Sequence, residues 1–168
     1  MSKHGLLYAG AGYHYGPLYA IRPGASGDIT LEGDATSNAS IAWSQKRGSS
    51  IHPGYLISGD RLFVCYDSGL LGCYNAKTGA EIIPRTRLNT MGGRFYASPW
   101  AYKGRVFLLN ENGDTWVIED GPEYKFLRKN SLGDVAWATP AIARGSLFIR
   151  TYSWLFRLQD NAVASGKK

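Results

Sequence analysis

Cysteine and methionine are scarce in this 168-residue chain, at two residues each. Two cysteines cannot build a disulfide framework, so apolar burial has to hold the core. No run of residues approaches the length of a membrane-crossing helix. Apolar heptads are absent, which excludes a coiled coil. Acidic residues are few as well, 13 against 19 Lys and Arg, for a formal net charge of +6. The basic residues are scattered as Lys46 and Arg47, Arg85 and Arg87, Arg128 and Lys129, with Lys167 and Lys168 at the end. Nucleic-acid binding needs them gathered on one face, so the pattern reads as a solvated basic surface. Met1-Ser2-Lys3-His4 runs into the first apolar segment with no h-region and no cleavage site. The expectation is a cytoplasmic protein or a piece of a longer chain.

Glycine (21 residues), tyrosine (11) and short apolar runs are abundant, and 44% of the chain is hydrophobic. That combination reads as all-β. Four segments echo one strand: Gly5-Leu6-Leu7-Tyr8-Ala9, Asp60-Arg61-Leu62-Phe63-Val64, Gly104-Arg105-Val106-Phe107-Leu108 and Gly145-Ser146-Leu147-Phe148-Ile149. Pro53, Pro99 and Pro140 precede three of them, at spacings of 46 and 41 residues. A strand repeat of this length predicts propeller blades. The four units span about 5–48, 53–90, 95–133 and 135–160 within one domain covering 1–168. Runs such as Leu62-Phe63-Val64-Cys65 and Val106-Phe107-Leu108-Leu109 are apolar on both faces, as strands stacked between two neighbouring sheets would be.

The first unit shows no strand before Gly5 and the fourth no outer strand after Leu158. Such ends would leave apolar flanks open. The expectation is a homodimer through the terminal blades, completing an eight-bladed ring, unless the chain is part of a longer one. With Ser68-Gly69 as a two-residue turn, Cys65 faces Gly72 and Cys73 faces Val64. The thiols then point to opposite sides and remain free and buried; a three-residue loop is the alternative that would set them opposite each other.

The segment Tyr74-Asn75-Ala76-Lys77-Thr78-Gly79-Ala80-Glu81 resembles the turn signature of quinoprotein-type (PQQ-like) β-propeller repeats, Ala-x-Asp-x-x-Thr-Gly-x-x-x-Trp. Asn75 takes the Asp position and Ile83 stands near that of the Trp. Tyr19-Ala20-Ile21-Arg22-Pro23-Gly24, with Trp43 after an insertion, resembles it more loosely. The third and fourth units keep only the lead-ins Ala97-Ser98-Pro99 and Ala138-Thr139-Pro140. The resemblance implies an all-β, WD40-like propeller built from four-stranded blades. It implies a non-catalytic scaffold that presents loops to a protein or peptide ligand, or else half of a PQQ-dependent oxidoreductase. It also suggests a periplasmic or extracellular setting if the chain is a fragment.

No catalytic, cofactor-binding or metal-binding set emerges from the residues. The family's dehydrogenases hold the quinone by a tryptophan and adjacent bonded cysteines with calcium alongside, and no Cys-Cys pair occurs here. Trp43, Trp100, Trp116, Trp137 and Trp154 sit at or near strand positions that packing explains. His4, His14 and His52 are isolated from second ligands. Residues 110–114 (Asn-Glu-Asn-Gly-Asp) read as a hairpin turn rather than a calcium loop. Residues 10–16 are Gly-rich, but no helix follows, so a phosphate loop fails. Asn38-Ala39-Ser40 is a formal glycosylation sequon. The tight loops at 67–69 and 112–114 are expected on one face, and the connections at 33–38 and 89–94 elsewhere.

Overall fold

Each echo of the repeat opens on a two-residue hairpin turn. His4-Gly5, Lys103-Gly104 and Arg144-Gly145 have positive φ at both residues, from +48° to +71°. This is the type I′ geometry that matches the twist of paired strands. Gly59-Asp60 is the fourth two-residue turn, with positive φ at Gly59 alone (+58°), as in a type II′ turn. A computed structural model of the chain describes residues 1–10, 16–88 and 92–159.

Each turn joins the first two strands of an antiparallel sheet, and each sheet runs in sequence order. The first sheet contains β1 (Ser2–Lys3), β2 (Leu6–Gly10), β3 (Leu18–Ile21) and β4 (Ile41–Gln45). The second contains β5 (Tyr55–Ser58), β6 (Arg61–Cys65), β7 (Leu70–Asn75) and β8 (Glu81–Arg87). The third contains β9 (Trp100–Tyr102), β10 (Arg105–Leu109), β11 (Asp114–Glu119) and β12 (Phe126–Ser131). The fourth has three strands among the described residues, β13 (Ala141–Ala143), β14 (Ser146–Arg150) and β15 (Leu155–Gln159). The chain is therefore all-β, built as successive propeller blades.

The expected lack of a first strand in unit one is corrected. Ser2 and Lys3 pair with Leu7 and Leu6 across His4-Gly5. A two-residue polar strand has no apolar pattern, but its turn matches those at Lys103 and Arg144. The repeat spacing is corrected as well. Aligning the turns makes Gly54, Ser98 and Thr139 equivalent, 44 and 41 residues apart. Pro99 and Pro140 follow these positions, whereas Pro53 precedes its own.

The sheets stack in chain order. Tyr8, Leu18, Ala20 and Trp43 of the first pack with Leu62, Val64, Tyr66 and Tyr74 of the second. Phe63, Cys65, Leu71, Cys73 and Ile83 pack with Val106, Leu108, Trp116 and Ile118 of the third. Trp100 and Leu109 pack with Ile149 of the fourth. Leu62, Phe63, Val64 and Cys65 are all completely buried, so β6 fills two interfaces at once. No apolar cluster joins the first sheet to the fourth among the described residues.

Loop length sets the register of the central hairpins. The Tyr66 N–H donates to Leu70 O at 2.8 Å and the Gly69 N–H to Tyr66 O at 2.9 Å, closing a three-residue loop over Asp67, Ser68 and Gly69. Gly69 supplies the left-handed residue at φ +78°. Cys65 then pairs with Leu71 and Cys73 with Phe63. The thiols share one face, offset by one pair, which corrects both the opposite-face reading and the expected effect of a three-residue loop. Both are buried and free, as expected.

Polar contacts lock neighbouring sheets. Trp43 Nε1 and Tyr8 Oη donate to Ala76 O at 2.9 and 3.0 Å. Arg61 Nε donates to Asp120 Oδ1 at 2.8 Å, and Ser58 Oγ bonds the other carboxylate oxygen. The Thr78-Gly79 turn receives the Trp43 ring. A Cβ on Gly79 would lie 2.7 Å from Trp43 Cδ2, and Gly79 has φ +74°. Gly24 has a similar φ of +78° with nothing within 4 Å. Gly79→Ala should therefore cost roughly 2–4 kcal/mol, strain plus overpacking, against about 1 for Gly24→Ala. Urea unfolding of the two variants measures the difference; equal losses would mean that Trp43 does not set the requirement.

Candidate functional site

The segments that lead into the inner strands run along one rim. There the Gly54 N–H donates to Ser98 Oγ at 2.8 Å, and the Ser98 N–H donates to Thr139 Oγ1 at 2.9 Å. Equivalent atoms thus bond from sheet to sheet. Two residues earlier in each repeat stand His52, Tyr96 and Trp137. Their rings meet edge to face, His52 to Tyr96 at 5.0 Å and Tyr96 to Trp137 at 5.9 Å between centroids. The repeat therefore builds an aromatic ladder that spans three sheets.

Backbone bonds fix this ladder to the hairpin loops. The Phe95 N–H donates to Asp67 O, the Glu111 N–H to Arg94 O and the Ala136 N–H to Glu111 O. The Tyr152 N–H donates to Val135 O at 2.7 Å. Arg94 accordingly lies on the same face as loops 67–69 and 112–114, which corrects its expected placement elsewhere. The rest of that connection, residues 89–91, lies outside the described residues. Residues 33–38 belong to the long β3–β4 connection, where the Asn38 N–H donates to Ile41 O.

The rim carboxylates face their own backbone. Asp67 accepts from the N–H groups of Ile51 and His52 at 2.8 and 3.2 Å, and from His52 Nδ1. Glu111 Oε1 accepts from the Arg94 N–H at 2.8 Å. Asp134 accepts from Ser153 and Val135, both at 2.9 Å. The Ser153 amide bond foremost, with the Thr151 hydroxyl, holds the Asp134 carboxyl below the usual range.

Trp137 is 64% exposed, Tyr152 85% and Trp154 66%. Packing accounts for buried Trp43, Trp100 and Trp116 but not for these, a correction to the reading of all five tryptophans as packing residues. Trp137 and Tyr152 line an open hollow of about 350 Å³ with Val135, Ala138, Thr151 and Arg150. The site was missed because an exposed tryptophan looks the same in sequence as a core one. The equivalence of His52, Tyr96 and Trp137 was the available signal.

The other singled-out residues are separated. His4 Nε2 lies 3.0 Å from Gly59 O and 3.3 Å from Asp60, tying the first sheet to the second. His52 lies on the rim, and His14 lies outside the described residues. No group of three His, Cys, Asp or Glu gathers among the described residues. In loop 110–114, Asn110 Oδ1 accepts from the N–H groups of Asn112 and Asp114, and Asp114 pairs with Lys129, so the segment is a hairpin turn. Most of the Gly-rich stretch 10–16 lies outside the described residues. Asn38 of the sequon uses its Oδ1 to accept from the Ser40 and Ile41 amides. Cys65 and Cys73 are buried between the second and third sheets. That placement does not fit the family's adjacent-cysteine quinone site, so no step through a quinone is derived.

The sequence matches no family model and no curated protein at a significant level. Solved structures do match. BamB from Moraxella catarrhalis superposes with a TM-score of 0.64 at 19% identity, over 92% of this chain and 43% of its own. Quinohemoprotein alcohol dehydrogenase from Comamonas testosteroni gives 0.63 at 14%, over 88% of this chain and 28% of its own. The computationally designed Ika4 protein gives 0.63 at 12%, over 94% of this chain and 88% of its own.

The fold is that of β-propeller blades like those of BamB and the quinohemoprotein alcohol dehydrogenases. The chain spans less than half the length of BamB. No helix among the described residues is long and apolar enough to cross a membrane.

Burial raises both thiols. It acts with the Asp67 charge on Cys65, and it pushes Cys73 up to about 12 despite the opposing effect of Arg61. The unfolded chain releases these protons near the ordinary value of 9.0 while the folded one holds them. Their stabilising contribution is thus full below pH 9 and falls as pH rises toward 12, by about 1.4 kcal/mol per thiol per pH unit. Urea titrations across that window should show a decline that starts near 9 and flattens in Cys65→Ala and Cys73→Ala. An unchanged slope in both variants would contradict the assignment.

Proposed function

We infer that the chain is a binding or scaffold propeller module without catalysis of its own, and that two copies complete an eight-bladed ring. The carrying observation is the pair of uncovered flanks. On the first sheet, Leu7 is 49% exposed, beside an open hollow of about 490 Å³ that Ile21 also lines. On the fourth, Ala141, Phe148, Leu155 and Arg157 occupy the face turned away from the Ile149 cluster. A sheet with an apolar face needs a neighbour to cover it.

The two flanks also differ in charge. Residues 23–40, beside the first sheet, carry Asp28, Glu32 and Asp34 and no basic residue. Residues 135–159 carry Arg144, Arg150 and Arg157 and no acidic one. Lys3 and Arg22 line the hollow on the first flank, so the acidic complement to these arginines is confined to residues 23–40, and a two-fold operation applies the contact between flanks twice and closes it. Ika4, matched over 88% of its length, is a chain of similar extent with this fold.

Light scattering tests the ring. A mass near twice 18.4 kDa is expected, and a monomer at tens of micromolar would overturn it. Arg157→Glu should weaken the dimer about two- to fivefold, with recovery when Asp28→Arg is added.

A further inference from the structure

Three contacts repeat from sheet to sheet along the rim, and all three stop at the fourth sheet. The Gly54 N–H donates to Ser98 Oγ and the Ser98 N–H to Thr139 Oγ1. The Thr139 N–H, at an exposed residue, has no acceptor among the described residues. The Phe95 N–H donates to Asp67 O and the Ala136 N–H to Glu111 O. At the equivalent loop position, Tyr152 O accepts from no group among the described residues. Ring contacts carry His52 onto Tyr96 and Tyr96 onto Trp137, whose far side opens onto the hollow that Tyr152 and Thr151 also line. In the second and third sheets these positions are covered by the lead-in of the next sheet. Trp137 and Tyr152 are therefore exposed for one reason: they stand where a further lead-in would lie.

Charge does not define this place, since the Asp134 carboxylate stays negative while it accepts amide bonds and balances Arg150 in sign. The repeat defines it. An occupant must offer a hydroxyl to the Thr139 N–H, an aromatic ring two positions earlier to Trp137, and a backbone N–H three positions earlier to Tyr152 O. Tyr96-Ala97-Ser98 and Trp137-Ala138-Thr139 have that spacing, each followed by proline. An extended segment that pairs with an open backbone donor and acceptor, and sets one side chain in a pocket, is a general mode of peptide recognition. We propose that the rim of the fourth sheet binds an extended segment of a partner protein with an aromatic residue two positions before a serine or threonine, seated as the lead-in of a further blade would be. The contact continues the interface that joins the second, third and fourth sheets. In those sheets a lead-in and the face of the next sheet cover the same blade at once, so the seat is compatible with a second copy on the flank. The proposal rests on the reading of the chain as a binding module; it does not require the ring.

The probe is a fluorescein-labelled peptide with the sequence of residues 93–100, Gly-Arg-Phe-Tyr-Ala-Ser-Pro-Trp, which contains the pattern. Fluorescence anisotropy should show saturable binding. Affinity should fall about tenfold when the peptide's tyrosine is replaced by alanine. It should fall about fivefold when its serine is replaced by alanine, or when its phenylalanine amide is N-methylated. In the protein, Trp137→Ala should weaken binding about tenfold and Trp137→Phe much less. The Thr139 amide hydrogen should exchange freely without the peptide and become protected with it, as those of Gly54 and Ser98 are throughout. No saturation up to about 1 mM, or equal binding of all the altered peptides, would overturn the proposal. So would a Thr139 amide already protected without peptide, which would assign the seat to a second copy. Light scattering on the same samples separates the two readings. A dimer that ignores the peptide sinks the seat alone, and a monomer that binds it sinks the ring alone.

Discussion

The structure depends on burying both faces of every central strand. Successive residues of β6 serve opposite neighbours: Leu62 and Val64 meet the first sheet, Phe63 and Cys65 the third. A strand of this kind cannot sit at a solvent face without exposing large side chains, so one such sheet is not stable alone. The strict alternation also pins the register. A slip by one residue would exchange the two sets, sending Leu62 and Val64 into a space shaped around Cys73 and Trp116. The three-residue loop closed by Gly69 is thus coupled to the packing on both sides of the second sheet.

Directional contacts add what apolar stacking lacks. The Ala76 carbonyl accepts from two side chains of the preceding sheet, Tyr8 and Trp43. Asp120 accepts from Ser58 and Arg61, also of the preceding sheet. On the rim, Ser98 accepts from Gly54 and donates through its own backbone to Thr139. Each bond crosses between consecutive sheets, so each fixes an angle as well as a distance. Together they explain how sheets with so little shared sequence hold one repeating geometry. They also use up most of the polar groups on the rim, leaving its rings and Arg150 facing outward.

Much of the fold was legible because propeller strands have strong local signals. The apolar runs, glycines and repeat spacing located the four units and the strand that each echo forms. What failed had weak local signals. β1 is two polar residues long, and only the type I′ geometry of His4-Gly5 reveals it. The hairpin register escaped because Ser-Gly and Asn-Gly favour two-residue turns, whereas here each glycine closes a three-residue loop. The rim was missed for a different reason. Tryptophan scores as core wherever it occurs, and exposure belongs to the tertiary arrangement rather than to the residue.

Trp43 and Trp137 show how that distinction bears on function. Both are tryptophans beside a neighbouring repeat. Trp43 is 5% exposed, satisfies its indole N–H on Ala76 and demands a glycine at position 79. It has every mark of a packing residue, and its loss would be read in stability. Trp137 is mostly exposed, contacts Tyr96 by its edge and lines an open hollow. An exposed indole gains little for the folded state and remains a liability for association. With the exposed Tyr152 it leaves an aromatic patch at the surface. The repeat supplies the position, since His52 and Tyr96 stand at the same place in their own units. The difference lies in what each ring faces: two are covered by the next blade's ring, and the third meets solvent.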